Sequence, residues 1–241
     1  MCTVTYIPSN KGYFLTSNRD EKQARPPAEL PAVYLVNNTR VLFPKDPQTF
    51  GTWIALKENG DAACLLNGAF ENHPTKPPYR RSRGKIVLDI ASTIQMADTF
   101  NTLDLYKIEP FTMVLVERGR LYECRWDGSQ KFFLQLDEKQ SHIWSSATLY
   151  DLQVRRRRKR WFDSWRVSVP EPSESDILAF HTTTGDGDLN NDLVMNRGNQ
   201  VFTVSLSSIR VEEATISMYY SELINHDSTH VSFEANPASS C

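Results

Sequence analysis

The stretch that decides the fold is MCTVTYIPSNKGYFLTSNRDE, residues 1–21. Residues 3–6 are β-branched and aromatic, a composition that favours a β-strand. Residues 10–12 are typical of a turn, and residues 13–16 have the composition of a returning strand. The pattern therefore predicts a hairpin that brings the charged tetrad at residues 18–21 back beside the start of the chain.

The second residue is a cysteine, Cys2, and its small side chain favours removal of Met1. Cys2 would then carry a free α-amine and a thiol, both of which ionise within reach of neutral pH. The amine can accept the thiol proton directly or through water, which activates the nucleophile. Arg19 is a candidate cation for stabilising the thiolate, and Asp20 is a candidate partner of the α-amine. The alternative is that Cys2 is a small buried residue of the first strand.

The composition excludes several classes of protein. The formal net charge of the 241 residues is −2, so no global field attracts nucleic acid or an anionic membrane. No apolar stretch approaches the roughly 18 residues that a membrane span needs, and no secretory signal is visible. The four cysteines lie far apart and form no CxxC pair, which predicts a reduced, cytoplasmic protein.

Metal and cofactor sites are not expected. The five histidines lack metal-ligand spacing. Residues 186–190 begin like a calcium loop, but Asn191 stands where that loop requires glycine and Arg197 stands where it requires glutamate. We therefore predict no metal and no cofactor.

The rest of the chain predicts an α+β protein. Asn59-Gly60 lies between two apolar segments and predicts a type I′ hairpin. Residues 62–67 are apolar on both faces, as expected of a central, buried strand. The last dozen residues resemble a loose tail. The other expected elements are a helix over residues 85–96 with Ile86, Ile90 and Ile94 on one face, a meander over residues 111–116, 121–126 and 131–136, a long helix over residues 149–166, a capped helix over residues 173–180, and strands over residues 201–211 and 215–220.

Because the strands come in antiparallel groups and the helices are segregated, we expect α+β layers rather than alternating βα units. We see no linker and no internal repeat, so residues 1–241 are expected to form one domain.

Three further residues could bind a substrate. The amide of Asn67 could help to bind an oxyanion, where one donor is worth roughly 3 kcal/mol; alternatively, Asn67 simply forms a turn with Gly68. Arg80 and Arg83 could hold a substrate carboxylate, because guanidinium groups suit that geometry. Alternatively, they anchor a solvated loop to the next helix.

The most basic run is residues 155–160, with five arginines and one lysine. Six consecutive residues cover the whole circumference of a helix, so the run does not form one basic face. A solvated helix with acidic neighbours is the favoured interpretation over nucleic-acid binding. Trp161 and Trp165 are expected to dock this helix on the core.

Several motifs resemble the NRDE family, the transport and Golgi organisation protein 2 family. They occur in the family's order over residues 1 to about 150. The matching stretches are Met1-Cys2, Ser17-Asn18-Arg19-Asp20-Glu21, Ala24-Arg25-Pro26 and the segments at residues 50–55, 65–70, 79–84 and 142–146.

The resemblance implies an N-terminal-nucleophile (Ntn) hydrolase-like fold, a four-layer αββα sandwich of two antiparallel sheets. Relatives of this fold, such as the bile salt hydrolase and penicillin V acylase group, cleave non-peptide amide bonds through an N-terminal cysteine. Their tetrad is usually Arg-Asn-x-Asp, so Asn18 and Asp20 match, whereas Arg19 is shifted by one residue and would point to the opposite face of a strand.

The resemblance also implies two later site residues. A second asparagine is expected near residue 145, where this chain has Ser145-Ser146. A late arginine is expected, and Arg197 is the candidate. The leading hypothesis is a cysteine amidohydrolase with catalytic residues Cys2, Asp20, Asn67, Arg19 and Arg197 and substrate-binding residues Asn18, Arg80 and Arg83.

The competing hypothesis is a non-catalytic protein of this fold that binds or traffics a small ligand, related to haem or lipid by family analogy. In either case the expected partner is a small molecule, not nucleic acid. The sequence leaves the substrate and the oligomeric state open.

Overall fold

The computed structural model describes residues 3–213, 215–225 and 227–233. Met1 and Cys2 lie outside the described residues, as does the segment 234–241. In chain order the strands are β1 (Thr3–Ser9), β2 (Gly12–Lys22), β3 (Glu29–Val36), β4 (Thr39–Lys45), β5 (Ile54–Lys57), β6 (Ala62–Asn67), β7 (Phe111–Glu117), β8 (Arg120–Trp126), β9 (Lys131–Leu136), β10 (His142–Ser145), β11 (Asn196–Arg197), β12 (Val201–Glu212), β13 (Thr215–Glu222) and β14 (Ser228–Ser232). The helices are α1 (Arg83–Ala91), α2 (Met96–Thr102), α3 (Leu152–Ser168) and α4 (Glu174–Thr183).

Within the described residues the strands form two antiparallel sheets. The first sheet has the order β10-β1-β2-β12-β13-β14, and β11 pairs with β12. The second sheet is a meander in chain order, from β3 to β9. Helices α3 and α4 contact the first sheet, and α1 and α2 contact the second. The molecule is therefore α+β with αββα layers, which confirms the expected fold class.

Strand β6 lies in the middle of the second sheet, and most of its residues are buried, as its apolar sequence predicts. The Asn59-Gly60 hairpin forms, but its turn is not type I′. A type I′ turn needs a positive φ at both central residues, and of these two residues only Gly60 has one (83°). Instead, the Asn59 side chain accepts a hydrogen bond from the backbone N–H of Asp61 (3.1 Å). This local side-chain bond replaces the expected turn geometry.

The prediction of a single helix over residues 85–96 is wrong, because the chain forms α1 and α2 with a break between them. The side chains of Ser92 and Thr93 bond back to the carbonyls of Asp89 and Ile90, which competes with helix continuation. Ile94, expected on the apolar face, is 78 % exposed.

The long third helix begins three residues later than expected. Asp151 is its N-cap, with its side chain accepting from the backbone N–H of Val154 (2.8 Å). Leu149 and Tyr150 consequently lie in the preceding loop. The capping box of α4 forms between Ser173 and Asp176 as its sequence predicts.

Sequence patterns did not predict the hairpin of β3 and β4. Its turn is Asn37-Asn38, with φ values of 46° and 63°, the left-handed conformation that a two-residue hairpin requires. The expected loose tail is also wrong in part, because β14 pairs with β13. The segment 234–241 of that tail lies outside the described residues.

The main hydrophobic core lies between the two sheets and under α1 and α2. A smaller cluster joins the first sheet to α3 and α4, with Phe14, Phe162 and Phe180 among its members. Trp165 packs against this smaller cluster as expected. Because β1 and β2 contribute to both clusters, we retain the proposal that the chain is one domain.

Candidate functional site

The alternation of side chains along β2 separates the charged tetrad at residues 18–21 into two groups. Arg19 projects between the two sheets, where it contacts Asp46 and the ring of Trp53. Asn18 and Asp20 project from the other face of β2, toward α3 and α4. Consecutive residues of a strand point to opposite faces, so these side chains cannot all line one pocket.

The start of β1 is held between two strands. Thr3 pairs with Asn18 of β2 on one side and with Ser145 of β10 on the other. Cys2 precedes Thr3 directly in the sequence and lies outside the described residues. The pairing of Thr3 holds this end of β1 between β2 and β10.

A cleft of about 910 Å³ opens between the sheets and the loop before α1. Arg19 and Asn67 line it, together with Arg80 and Arg83. Four of the site residues that the sequence predicts are therefore brought together here.

Arg19 lies at the base of this cleft and is 4 % exposed. One guanidinium nitrogen lies 2.9 Å from a carboxylate oxygen of Asp46 and 3.7 Å from one of Glu21. Its guanidinium carbon lies 4.4 Å from the ring centroid of Trp53. Burial lowers the pKa of Arg19, and the two carboxylates oppose that shift. Arg19 therefore forms ion pairs with Asp46 and Glu21.

Asp46 is the anionic centre of this part of the cleft. Burial alone would raise its pKa, but hydrogen bonds from Arg25 and Thr49 hold the pKa of Asp46 below its ordinary value. Arg25 Nε lies 2.9 Å from the same carboxylate oxygen that Arg19 contacts. The carboxylate therefore stays ionised and fixes both cations.

Asn67 ends β6 next to Ser146, which follows β10. The hydroxyl of Ser146 donates to the backbone carbonyl of Asn67 (2.9 Å). Gly68 has a φ of +79°, and a Cβ there would lie 2.8 Å from Cγ2 of Thr148. Glycine therefore suits both the backbone conformation and the close approach at this position, and Asn67 itself lines the cleft.

Arg80 and Arg83 are already paired with acidic residues. Arg80 lies 2.6 Å from a carboxylate oxygen of Asp104, and Arg83 lies 3.0 Å from one of Glu109. Arg83 also donates to the carbonyl of Pro110 (3.1 Å). These contacts fit the loop-anchoring interpretation, and both residues still line the cleft.

The sequence predicts Asn18 as a substrate-binding residue, but Asn18 does not line the cleft. Its amide nitrogen donates to the carbonyls of His181 (3.0 Å) and Leu193 (2.9 Å). This orientation leaves its carbonyl oxygen to accept from Nδ1 of His181. The other ring nitrogen then accepts from the hydroxyl of Thr5 (2.7 Å). Burial, and secondly the charge of Arg158, lower the pKa of His181 to about 3.

Asp20 belongs to the same polar layer behind the first sheet. It accepts hydrogen bonds from the hydroxyls of Tyr150 (2.6 Å) and Thr203 (2.6 Å). The guanidinium carbon of Arg158 lies 3.6 Å from the ring centroid of Tyr150. This layer connects Asp20 to the residues that hold the start of β1.

Arg158 also belongs to this layer, and sequence analysis missed it. Its side chain is fully buried, although the basic run that contains it predicts a solvated helix. It donates to the hydroxyl oxygen of Thr3 (2.5 Å) and to the carbonyls of Asn191 and Asp192 (3.0 and 2.6 Å). The signal was present in the sequence, because Arg158 and the apolar Phe162 are spaced i, i+4 on one helix face.

Arg197, the candidate late arginine, lies outside the cleft. It donates to the carbonyls of Leu149 (2.8 Å) and Asn190 (3.0 Å) and lies 5.2 Å from the ring centroid of Tyr150. It lines a separate pocket beside Tyr150. The structure therefore groups Arg197 with Asp20 and Arg158, not with Arg19 and Asn67.

Two other cysteines allow a comparison of thiol reactivity with that proposed for Cys2. Cys64 and Cys124 are free and buried in the second sheet. Burial raises the pKa of Cys64 to about 12 and raises that of Cys124 well above its ordinary value. Neither thiol is activated as a nucleophile.

The described residues contain no cluster of three or more His, Cys, Asp or Glu side chains that could hold a metal ion. Among these same residues, no helix is both long enough and apolar enough to cross a membrane.

Solved structures share the fold at low sequence identity. The N-acylethanolamine-hydrolyzing acid amidase ortholog of Caenorhabditis elegans superposes with a TM-score of 0.59 and 12 % identity, over 86 % of this chain and 92 % of its own. The conjugated bile acid hydrolase of Clostridium perfringens, in a variant with a cysteine replaced by alanine, gives a TM-score of 0.56 and 10 % identity over 98 % of this chain and 94 % of its own. A second variant of that enzyme, with an arginine replaced by leucine, gives 0.53 and 9 % over 96 % and 92 %.

These neighbours have Ntn-hydrolase-like folds, and at 9–12 % identity the likeness shows the fold alone. No curated protein matches the chain in sequence. The family model described as Transport and Golgi organisation 2 matches residues 1–221, which confirms the resemblance carried by the NRDE tetrad. The chain belongs to the Transport and Golgi organisation 2 family.

Proposed function

We propose that the protein is a cysteine amidohydrolase of the N-terminal-nucleophile type, acting on a non-peptide amide bond of a small molecule. The observation that carries the proposal is the register of Thr3 between Asn18 and Ser145. That register supports a nucleophile at position 2 beside the cleft.

Covalent geometry limits the position of Cys2, because consecutive Cα atoms lie about 3.8 Å apart. The described neighbours of Thr3 support this proposal. Its partner on β2, Asn18, is followed by Arg19, which lines the cleft. Its partner on β10, Ser145, is followed by Ser146, whose hydroxyl donates to the carbonyl of the cleft residue Asn67.

In the proposed reaction the Cys2 sulfur attacks the amide carbonyl carbon, and the α-amine accepts the thiol proton. The tetrahedral intermediate collapses, the carbon–nitrogen bond breaks, and the leaving amine takes that proton. Water then hydrolyses the thioester and releases the acid. Removal of Met1 is a condition of this reaction, because only then is the amine of Cys2 free.

The remaining residues receive roles from their positions. Asn67 would donate to the oxyanion from the end of β6. Arg19 would favour the thiolate, although Asp46 shares its charge. Asp20 is proposed as the partner of the α-amine, because it follows Arg19 on β2 and is held by Tyr150 and Thr203. For Arg197 we propose support of Tyr150 rather than contact with substrate.

The test begins with the intact mass of the protein isolated from its own host, which reports whether Met1 is removed. The purified protein is then incubated with a panel of fluorogenic aminocoumarin amides of short, medium and long acids. We expect hydrolysis of at least one amide, an acyl adduct on Cys2 by mass spectrometry, and loss of both in Cys2→Ala.

The matched control is Cys64→Ala, which removes a buried thiol whose pKa burial raises to about 12. This variant should keep the activity and the adduct. Retention of Met1, or equal hydrolysis by Cys2→Ala, would contradict the proposal.

A second candidate function is ligand binding without catalysis. Two observations favour it: Ser145-Ser146 stands where amidases of this fold are expected to have an asparagine, and Asp46 already pairs with Arg19. The ligand would be a small molecule related to haem or lipid by family analogy. Saturable binding of a small molecule by Cys2→Ala, with no acyl adduct on the unaltered protein, is the result that would select this function.

We further propose a cytoplasmic location, supported by the free thiols of Cys64 and Cys124, which a reducing compartment preserves. Fractionation of the host with an antibody against the protein tests this proposal.

A further inference from the structure

The side chains of the basic run at residues 155–160 lie in three different environments around α3. Arg158 is buried against Thr3, and Arg157 pairs with Asp186 (3.2 Å) and Asp188 (2.9 Å). The other four side chains, at positions 155, 156, 159 and 160, follow the spacing i, i+1, i+4, i+5. This spacing places them on one face of the helix.

These four side chains line a pocket of about 500 Å³ between α3, β10 and the second sheet. Arg125 of β8 adds a fifth cation from the opposite wall. The floor is apolar and includes Leu66, Ile143 and Trp144. We call this site the α3 pocket; none of the described residues that line it is acidic.

The positive charge of the α3 pocket is only partly neutralised by acids outside its lining. Glu123 pairs with Arg125 (2.8 Å), and Asp163 pairs with Lys159 (2.7 Å). Glu123 also accepts a hydrogen bond from the indole nitrogen of Trp144 (2.6 Å), so both of its carboxylate oxygens already have partners. Among the described residues the guanidinium groups at positions 155, 156 and 160 form no ion pair.

Arg155 is the most informative of these cations. It is half-buried, and its buried Nε has no hydrogen-bond partner among the described residues. Burial, and secondly the like charge of Arg125, lower the pKa of Arg155; Glu71 and Asp151 oppose the shift without forming an ion pair. A buried donor without a partner is destabilising, so an anion that accepts from it would stabilise the site.

We propose that the α3 pocket binds the phosphate group of a small amphiphile whose apolar part rests on Leu66, Ile143 and Trp144. Guanidinium groups bind phosphate oxygens in a bidentate manner, and a dianion suits a site with three unpaired cations. The volume is within the usual range for a small-molecule pocket, roughly 300–1,000 Å³. This inference does not depend on the chemistry proposed for Cys2.

The test is calorimetric titration of the full chain with octyl phosphate, with inorganic phosphate and octyl glucoside as comparison ligands. We expect octyl phosphate to bind at least roughly ten-fold more tightly than either comparison ligand, because only it satisfies both the cations and the floor. Equal affinity for inorganic phosphate would overturn the proposal.

The variant Arg155→Gln/Arg160→Gln removes two unpaired cations from the pocket. Its affinity for octyl phosphate should fall roughly ten-fold or more. The matched control Arg118→Gln/Arg120→Gln removes the same charge from the exposed end of the hairpin of β7 and β8 and should change affinity less than about two-fold. Equal losses in both double variants would mean that only net charge matters and would overturn the site.

If the first double variant does not fold, Arg156→Gln/Lys159→Gln tests the same face of α3 with exposed side chains. The variant Cys2→Ala should bind octyl phosphate as the unaltered protein does, which separates this proposal from the proposed hydrolase. A loss of binding that is confined to Cys2→Ala would contradict the α3 pocket as the site.

Vesicle flotation distinguishes the source of the phosphate. Phosphatidylcholine vesicles with phosphatidic acid that retain the unaltered protein, but not Arg155→Gln/Arg160→Gln, identify a lipid headgroup. Absence of flotation, with octyl phosphate still bound, identifies a soluble phosphate ester. Flotation that is the same for the protein and for this double variant would contradict the site.

Discussion

The two faces of β1 and β2 carry polar residues in opposite surroundings. On the face toward α3 and α4, the polar side chains are sealed from solvent and bonded mainly to neutral groups, as Thr5, Asn18 and His181 show. On the face toward the second sheet, Arg19 borders an open cleft and is paired with the carboxylate of Asp46.

This difference suggests that the two faces of β1 and β2 have different roles. Buried groups with all their hydrogen bonds satisfied fix one geometry, so the sealed face can hold the start of β1 in place. Charged groups beside an open cleft can exchange their partners with a ligand. The sealed face is therefore expected to determine stability, and the cleft face to determine reactivity at position 2.

The largest effect is expected from Arg158→Met. This change leaves the carbonyls of Asn191 and Asp192 and the hydroxyl of Thr3 without their buried donor. The free energy of unfolding should fall by about 3–4 kcal/mol, which urea denaturation measures. The control is Arg156→Met on the same helix, where the side chain is exposed and the change should stay within about 0.5 kcal/mol. Similar losses in both variants would remove the distinction between sealed and open arginines.

The second effect is the pH dependence of the sealed face. The pKa of His181 is about 3 in the folded protein, lowered by burial and by Arg158 from its ordinary value of 6.5. As pH falls below 6.5, the unfolded state binds the proton first, so stability present above pH 6.5 is lost toward pH 3. Between pH 8 and pH 5 this histidine should account for a loss of about 2 kcal/mol.

The measurement is the difference in this loss between the unaltered protein and His181→Gln, which removes the contribution of other titrating groups. The matched control is His230→Gln, the same substitution at an exposed histidine outside the sealed face. A loss on acidification that His181→Gln does not reduce would show that the sealed face accommodates the charged ring.

The smallest effect on stability, and the most specific on chemistry, is expected from Arg19→Gln. The variant keeps Arg25 as a partner of Asp46, so unfolding should change by only about 1 kcal/mol. If Cys2 faces the cleft, its alkylation by iodoacetamide should slow several-fold, because a nearby cation favours the thiolate. Arg19→Lys should recover part of the rate, whereas equal rates in all three proteins would place Arg19 outside the reactive site.

The sequence predicted the elements whose patterns are local. Residues 62–67 gave a central strand because both of their faces are apolar, and Ser173 with Asp176 gave a capping box because that bond closes within one turn. The Asn37-Asn38 turn also has a local signal, because asparagine can adopt a positive φ. The sequence analysis nevertheless did not predict this hairpin.

The site was predicted in part for the same reason. Strand alternation already separated Arg19 from Asn18 and Asp20. The roles of the basic run were not predictable, because its six side chains meet different partners from distant parts of the chain. Arg158 meets Thr3, and Arg155 faces Arg125, only after α3 has packed on β10.

The sequence by itself determined the family, the layered α+β fold and the hairpin that begins it, since motif order and short-range periodicity are properties of neighbouring residues. Only the tertiary structure decided that Asp20 lies behind the first sheet and that Arg197 lies outside the cleft. It also decided that a fully buried arginine, Arg158, holds the start of β1. The physical reason is that burial and electrostatic partnership depend on groups from separate parts of the chain, such as Arg158 and Thr3, and no local pattern records which of them will meet.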